Sequence, residues 1–286
     1  MLGRNPYLKY FSKEGFREYI ETVDSELSLE VAQLKERFSI VRGIVFQVGD
    51  DQASDTYIRS KMKLCEKFGI ELSHIKTSCR TKDVLNTLVN SFGTTQPMMI
   101  QFPLPWKGVT ANSFNLGKMD IDGLHSSSVV DPCTPAGILR HLKYVYDKEG
   151  VNIEGKNILI ISRSQLVGMP MARMAVQAGM NVMQIHSKTS KRDREWFYGM
   201  ADVIVCGVGK PNFITLGDAD DFMRSDVMIY DVGINRAEDG TLAGDCSPDL
   251  IAKGYAVSPV PGGVGLLTTR MFVQNILTIT RKMWDF

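Results

Sequence analysis

The sequence predicts a two-domain α/β protein. One domain is an N-terminal α/β domain, and the other is a Rossmann-like, doubly wound domain. The C-terminal helix returns to the first. Three observations predict this. Short apolar runs at 43–48, 98–102, 157–161, 181–186, 202–206, 227–232 and 255–258 alternate with helical patterns, the order that a parallel α/β sheet requires. From 157 onward those runs are continuously apolar and bounded by Gly or Ser, as in strands buried on both faces. A chain of 286 residues can also bury two cores of ordinary size.

The elements follow in order. Residues 12–38 carry apolar residues at mixed three and four spacing and read as helix. The strand at 43–48 ends in Gly49-Asp50-Asp51, and residues 54–68 read as an amphipathic helix closed by Gly69. Pro103-Leu104-Pro105 stops the strand at 98–102. Thr134-Pro135-Ala136-Gly137 opens a helix to about 147, and 153–156 is a turn. Then come a strand (157–161), a turn (162–168), a helix (169–179) and a strand (181–186). The segment Ser258-Pro259-Val260-Pro261-Gly262-Gly263-Val264-Gly265 precedes a last helical pattern over 266–283. Two prolines and three glycines in eight residues shape backbone rather than fill a core. Boundaries near Thr134 and Pro261 give domains 1–134 with 266–286, and 135–265.

Composition excludes several classes. The net charge of +1 offers no global field for nucleic acid. No apolar run reaches bilayer length, and residues 1–11 lack the apolar core of a signal peptide. The five cysteines are odd in number, scattered and without a CxxC pair. That pattern favours reduced thiols in a cytoplasm over disulfides or zinc. The expected partners are therefore neither nucleic acid nor membrane.

Four constellations carry chemistry. Tyr57 and Lys61 are four apart and share one helix face. Partial burial there would lower the lysine pKa toward a range useful for proton transfer, although such pairs also occur on solvated faces. Gln101 closes an apolar strand, in Ile100-Gln101-Phe102-Pro103, where a buried amide needs partners. In Asp120-Ile121-Asp122-Gly123 two carboxylates lie two apart without further ligands. This suits one carboxylate binding an amidine-like heterocycle better than a metal, although a turn with a helix-capping or solvated aspartate gives the same pattern. Ser162-Arg163-Ser164-Gln165-Leu166-Val167-Gly168 follows a strand and opens a helix, the context of a phosphate-binding turn, without being G-x-G-x-x-G. An NAD site carries an acid about 20 residues further on for the ribose. This chain has His186-Ser187-Lys188-Thr189 there, and Arg163 nearby, a pattern for NADP. Gly207-Val208-Gly209-Lys210 and Asp231-Val232-Gly233-Ile234-Asn235 add two more strand-end turns.

Taken together, these segments resemble the bifunctional methylenetetrahydrofolate dehydrogenase/methenyltetrahydrofolate cyclohydrolase family. The blocks in order are Ser54…Tyr57…Lys61, Gln101-Phe102-Pro103-Leu104-Pro105, Asp120-Ile121-Asp122-Gly123, Pro132-Cys133-Thr134-Pro135, Arg163-Ser164…Val167-Gly168…Pro170, His186-Ser187-Lys188-Thr189, Asp231-Val232-Gly233-Ile234-Asn235 and Pro259-Val260-Pro261-Gly262-Gly263-Val264-Gly265. The resemblance implies a homodimer in the cytoplasm. It would oxidise methylenetetrahydrofolate with NADP and hydrolyse the methenyl product to 10-formyltetrahydrofolate, in one-carbon metabolism that feeds purine biosynthesis. It also implies a catalytic Lys61, a Tyr57 that covers the folate, a Gln101 that tunes Lys61 and an Asp122 that binds the pterin. Ile100, Phe102, Pro261, Gly262, Gly263, Val264 and Gly265 would line the folate site. Ser162, Arg163, Ser164, Ser187, Gly209 and Ile234 would contact NADP, and no metal is implied.

Four positions depart from the family pattern. Ser162 stands where glycine is usual, and Met119 where lysine is usual. The 125–133 segment is short, and Leu266-Leu267 replaces Pro-Met. A folate- or nucleotide-binding protein without catalysis is a further reading, against which the intact Tyr57 and Lys61 argue, and two enzyme readings stay open on the residues alone. One is a dehydrogenase with weak or absent cyclohydrolase activity. The other is a different NADP dehydrogenase, similar to shikimate dehydrogenase, which would leave Gln101 and the Pro-Gly-Gly turn unexplained.

Overall fold

The computed structural model describes residues 5–236 and 240–283. The chain divides into two compact units, Val23–Cys133 with Thr269–Phe286, and Met1–Thr22 with Thr134–Thr268. Residues 1–22 group with Thr134–Thr268, where the apolar side chains of that segment are buried. After a short helix α1 (Leu8–Phe11), helix α2 (Lys13–Arg37) starts in one unit and ends in the other. Phe11, Phe16 and Tyr19 are buried around His141, with the Phe16 and His141 rings stacked at 4.5 Å. The Asn5 amide donates to the Val227 carbonyl.

The unit holding Lys61 is built on three parallel strands in the order β2-β1-β3. They are β1 (Arg42–Val48), β2 (Glu71–Thr77) and β3 (Met98–Ile100), joined through α3 (Gln52–Lys67) and α4 (Lys82–Ser91). Both helices start at capping side chains. Asp51 accepts from the Ser54 N–H and Thr81 from the Val84 N–H, which satisfies donors a helix start leaves open. Central β1 is buried along most of its length, whereas edge strand β2 is half-exposed. Strand β3 is shorter than the apolar run 98–102. Gln101 still donates to the Phe46 carbonyl, but Pro103 has no N–H to continue the ladder.

The second unit carries a five-stranded parallel sheet in the order β10-β7-β6-β4-β5. After α5 (Cys133–Lys148) come β4 (Asn157–Ile161), α6 (Gly168–Gln177), β5 (Asn181–Ile185), α7 (Lys191–Met200), β6 (Val203–Cys206), α8 (Leu216–Phe222) and β7 (Met228–Asp231). A small antiparallel pair, β8 (Asn235–Arg236) and β9 (Leu242–Ala243), precedes α9 (Asp249–Lys253), β10 (Ala256–Val257) and α10 (Val264–Lys282). Strands β6 and β7 are wholly buried, the condition for a sheet covered on both faces. The chain runs outward from β4 to β5, then returns to place β6 on the other side of β4. That reversal is a topological switch point, and ligands of such sheets bind beyond the strand ends there. None of the described helices is long and apolar enough to cross a membrane.

Candidate active site and dinucleotide site

Helix α3 turns Ser54, Ile58, Lys61, Leu64 and Cys65 inward. Lys61 is 6% exposed, an unusual place for an ammonium group without close partners. Its Nζ lies 3.0 Å from the Met99 Sδ, 3.7 Å from the Asp122 Oδ1 and 4.8 Å from the centre of the Phe272 ring. A thioether is a weak acceptor, and an ion pair at 3.7 Å leaves room for a ligand's polar atom. Tyr57, one turn earlier on the same face, is 37% exposed. The Gln101 Nε2 donates to the Phe102 carbonyl at 2.7 Å, while the Gln101 Oε1 is buried without a partner. The structure therefore brings Lys61, Asp122 and Met99 together. The Gln101 amide group bonds its own neighbour.

The turn after β3 aims Asp122. Buried Asp120 accepts the N–H groups of Asp122, Leu124 and His125, the last two at 2.6 Å. Burial and the adjacent Asp122 carboxylate push its carboxyl up to about 7, against the pull of those three donors. Gly123 has φ +71°, and a Cβ there would strike the Asp131 backbone, so only glycine fits. Met119 is buried. From α10 the buried Asn275 amide donates to the carbonyls of Ile121 (2.8 Å) and Asp131 (2.9 Å), joining both ends of the loop that carries Asp122. Sequence reasoning missed Asn275. Its only signal is a polar residue among the apolar Phe272, Val273, Ile276 and Leu277.

In the other unit the dinucleotide turns sit at the ends of β4, β6 and β7. A Cβ on Gly168 would strike the Ser162 carbonyl, so glycine is what lets α6 start this close to β4. Among the described non-glycine residues only Asn212 has a positive φ. Serine at 162 therefore causes no backbone strain. The Ser162 hydroxyl accepts from the Ser164 N–H, and the Ser164 hydroxyl accepts from Val167 and Gly168. Both hydroxyls thus shape the turn, while Arg163 and Ser187 are exposed. His186, Ser187 and Lys188 directly follow β5, and no acid stands there. Gly209 has φ +72° and open space around it, and Ile234 is 49% exposed. Buried Asp231 accepts from the Gly233, Asp245 and Cys246 N–H groups. Desolvation raises its pKa, and the three donors oppose that. Asp245, which no motif marked, accepts from the backbone of residues 208–210. The Pro261–Gly265 segment is a turn at the start of α10, with Gly262 at φ +108° and no room for a Cβ on Gly263. The described residues hold no cluster of three His, Cys, Asp or Glu that could bind a metal.

Residues 17–115 match the catalytic domain of tetrahydrofolate dehydrogenase/cyclohydrolase, and residues 132–284 match its NAD(P)-binding domain. The chain belongs to the tetrahydrofolate dehydrogenase/cyclohydrolase family. It is 36% identical to the bifunctional protein FolD of Campylobacter curvus over 269 residues, covering 86% of this chain and 90% of the relative. It is also 36% identical to that of Staphylococcus aureus strain MRSA252 over 275 residues, covering 90% and 92%. The crystal structure of the bifunctional FolD methylenetetrahydrofolate dehydrogenase/cyclohydrolase of Campylobacter jejuni superposes with a TM-score of 0.80 at 30% identity, over 94% of this chain and 98% of that one. The tetrahydrofolate dehydrogenase/cyclohydrolase fold thus accounts for both units, and its catalytic-domain match spans Tyr57, Lys61 and Gln101.

Proposed function

We propose that this chain oxidises 5,10-methylenetetrahydrofolate to the methenyl compound with NADP, and hydrolyses that compound to 10-formyltetrahydrofolate. The observation that carries the reading is the buried Lys61 ammonium, 3.7 Å from the Asp122 carboxylate and otherwise against a thioether and a phenyl ring. Asp122 binds the amidine-like edge of the pterin as a charge-assisted acceptor. Lys61 faces the one-carbon bridge. In hydrolysis water adds at the methenyl carbon and its bond to N5 opens. Lys61 gives and takes the protons this needs, a contribution of about 10²–10⁴-fold. The unpartnered Gln101 Oε1 accepts a hydrogen bond from the lysine or the substrate, which would relieve a buried acceptor that costs on the order of 1–3 kcal/mol while unpaired. Tyr57 covers the folate, and Ile100, Phe102 and the residues 261–265 line it.

The switch point fits a dinucleotide. The strand–turn–helix at 157–168 and the close approach that Gly168 allows suit a pyrophosphate, and the open space beside Gly209 lets a ligand come close to the chain there. Arg163 and Ser187 hold the 2′-phosphate, Ser162 and Ser164 set the turn and Ile234 offers apolar surface to a ring. When bound, NADP supplies the hydride acceptor for the methylene carbon. Five free thiols support a reducing, cytoplasmic setting. We assign the product to one-carbon supply for purine biosynthesis and the active form to a homodimer, which light scattering of the purified protein tests.

The test of the reaction is incubation with methylenetetrahydrofolate and NADP, following NADPH and the methenyl chromophore. Both signals rise, and the chromophore then decays enzymatically. NADPH without enzymatic decay would leave only the dehydrogenase, and neither signal would reject the reading.

A further inference from the structure

We infer that Asp245 is the positioning residue that sets the dinucleotide turns of this enzyme. Its carboxylate is completely buried, yet both oxygens are fully used. The Oδ2 accepts the N–H groups of Val208 (2.6 Å) and Gly209 (2.9 Å). The Oδ1 accepts the N–H of Lys210 (2.8 Å) and the side-chain amide of Asn235 (2.9 Å). Three consecutive backbone donors on one carboxylate fix the turn after β6 as a nest around a charge supplied by the protein itself. The fourth donor ties in Asn235, next to Ile234 in the segment after β7. The two turns that flank the switch point on that side therefore share one anchor.

The surrounding residues are shaped to this anchor. A Cβ on Gly233 would strike the Asp245 carboxylate, so the chain after β7 approaches it only as glycine. Asp245 is held in turn through its own N–H on the Asp231 Oδ1, at 2.9 Å. Gly244 likewise has no room for a Cβ beside the Asp231 carboxylate. Two buried carboxylates in series thus build the β6 and β7 ends from backbone. Hydrogen bonds to charged groups are each strong enough that losing several moves binding by about tenfold or more.

The inference rests on the proposed dinucleotide function, and the experiment separates the two. Asp245→Asn keeps the volume but sets an amide N–H against backbone donors. Asn235→Leu removes one donor and leaves the carboxylate, so it reads the same link if Asp245→Asn does not fold. For each variant the measurements are NADPH binding by fluorescence, the KM for NADP, the KM for folate and cyclohydrolase turnover, which consumes no dinucleotide. NADPH binding weakens about tenfold or more in Asp245→Asn and less in Asn235→Leu, with folate KM and cyclohydrolase turnover unchanged. A folded Asp245→Asn with native NADPH affinity overturns the inference. So does Asn235→Leu with native affinity where Asp245→Asn is unfolded, or a parallel loss of cyclohydrolase turnover in either variant. A wild-type protein that binds NADPH but oxidises no folate would sink the proposed reaction and leave the role of Asp245 standing.

Discussion

The two candidate sites of this molecule are made of different material. The Lys61 site is made of side chains: an ammonium, a carboxylate, a thioether and a phenyl ring brought together from α3, the loop after β3, β3 itself and α10. The dinucleotide site is made of backbone. Its serine hydroxyls and buried carboxylates bend the main chain, and its glycines mark where no side chain fits. The difference follows from the ligands. Proton transfer needs a titratable group at one point, whereas a dinucleotide needs the main chain shaped to it over several turns. Substitutions should therefore separate the two sites, with single-residue losses of chemistry at the first and graded losses of affinity at the second.

The largest expected effect is at Lys61. Lys61→Met lowers cyclohydrolase turnover by about 10²–10⁴-fold and leaves NADPH binding unchanged; near-normal hydrolysis in the variant breaks the contrast on its catalytic side. Asp122→Asn comes next. It costs about 2–5 kcal/mol in folate kcat/KM, the usual range for truncating a hydrogen-bonded charge, without moving the KM for NADP. EDTA changes neither activity, and recovery of an EDTA-treated enzyme by a divalent ion would contradict the pterin role. Arg163→Ala lowers kcat/KM with NADP by about 1.5–3 kcal/mol and hardly alters that with NAD. An enzyme that uses NAD as well as NADP before the substitution would remove Arg163 from the specificity argument.

The last effect, of similar size, is read in stability and sharpens the contrast outside either site. His141 is buried, with its Nδ1 on the Tyr230 hydroxyl at 2.8 Å and its Nε2 unpartnered, and desolvation pulls its pKa from 6.5 to about 3. The rings of Phe11, Phe16, Tyr19 and Tyr144 face it, and no charged partner is among its described contacts. Unfolding therefore takes up a proton at any pH between those values. Its contribution is intact above about pH 6.5 and is lost as pH falls toward 3. His141→Phe, which keeps the stack on Phe16, should flatten the decline in unfolding free energy between pH 7 and pH 5 by about 2 kcal/mol. Urea titrations at the two pH values check this, and equal slopes in both proteins would refute it.

The sequence by itself determined the strands of the five-stranded sheet, the βαβ order, the Tyr57–Lys61 face and the turns at 162–168, 207–210 and 231–235. Each is a local pattern, either an apolar run at strand length or a turn residue at a fixed offset. Edge strand β2 and helices α4 and α7 escaped that reading. A half-exposed strand alternates polar and apolar residues, and α7, with its exposed Trp196, shows no clean apolar face. Only the tertiary structure decided that residues 1–22 join the dinucleotide unit, that Met99 and Phe272 surround the Lys61 ammonium, and that Asn275, Asp231 and Asp245 hold the functional turns. The physical reason is one of range. A buried amide or carboxylate is satisfied by donors and acceptors far along the chain, as Asn275 is by Asp131 and Asp245 by residues 208–210. No local spacing records such a partner, because desolvation demands that the bond be made without fixing where in the sequence the partner lies.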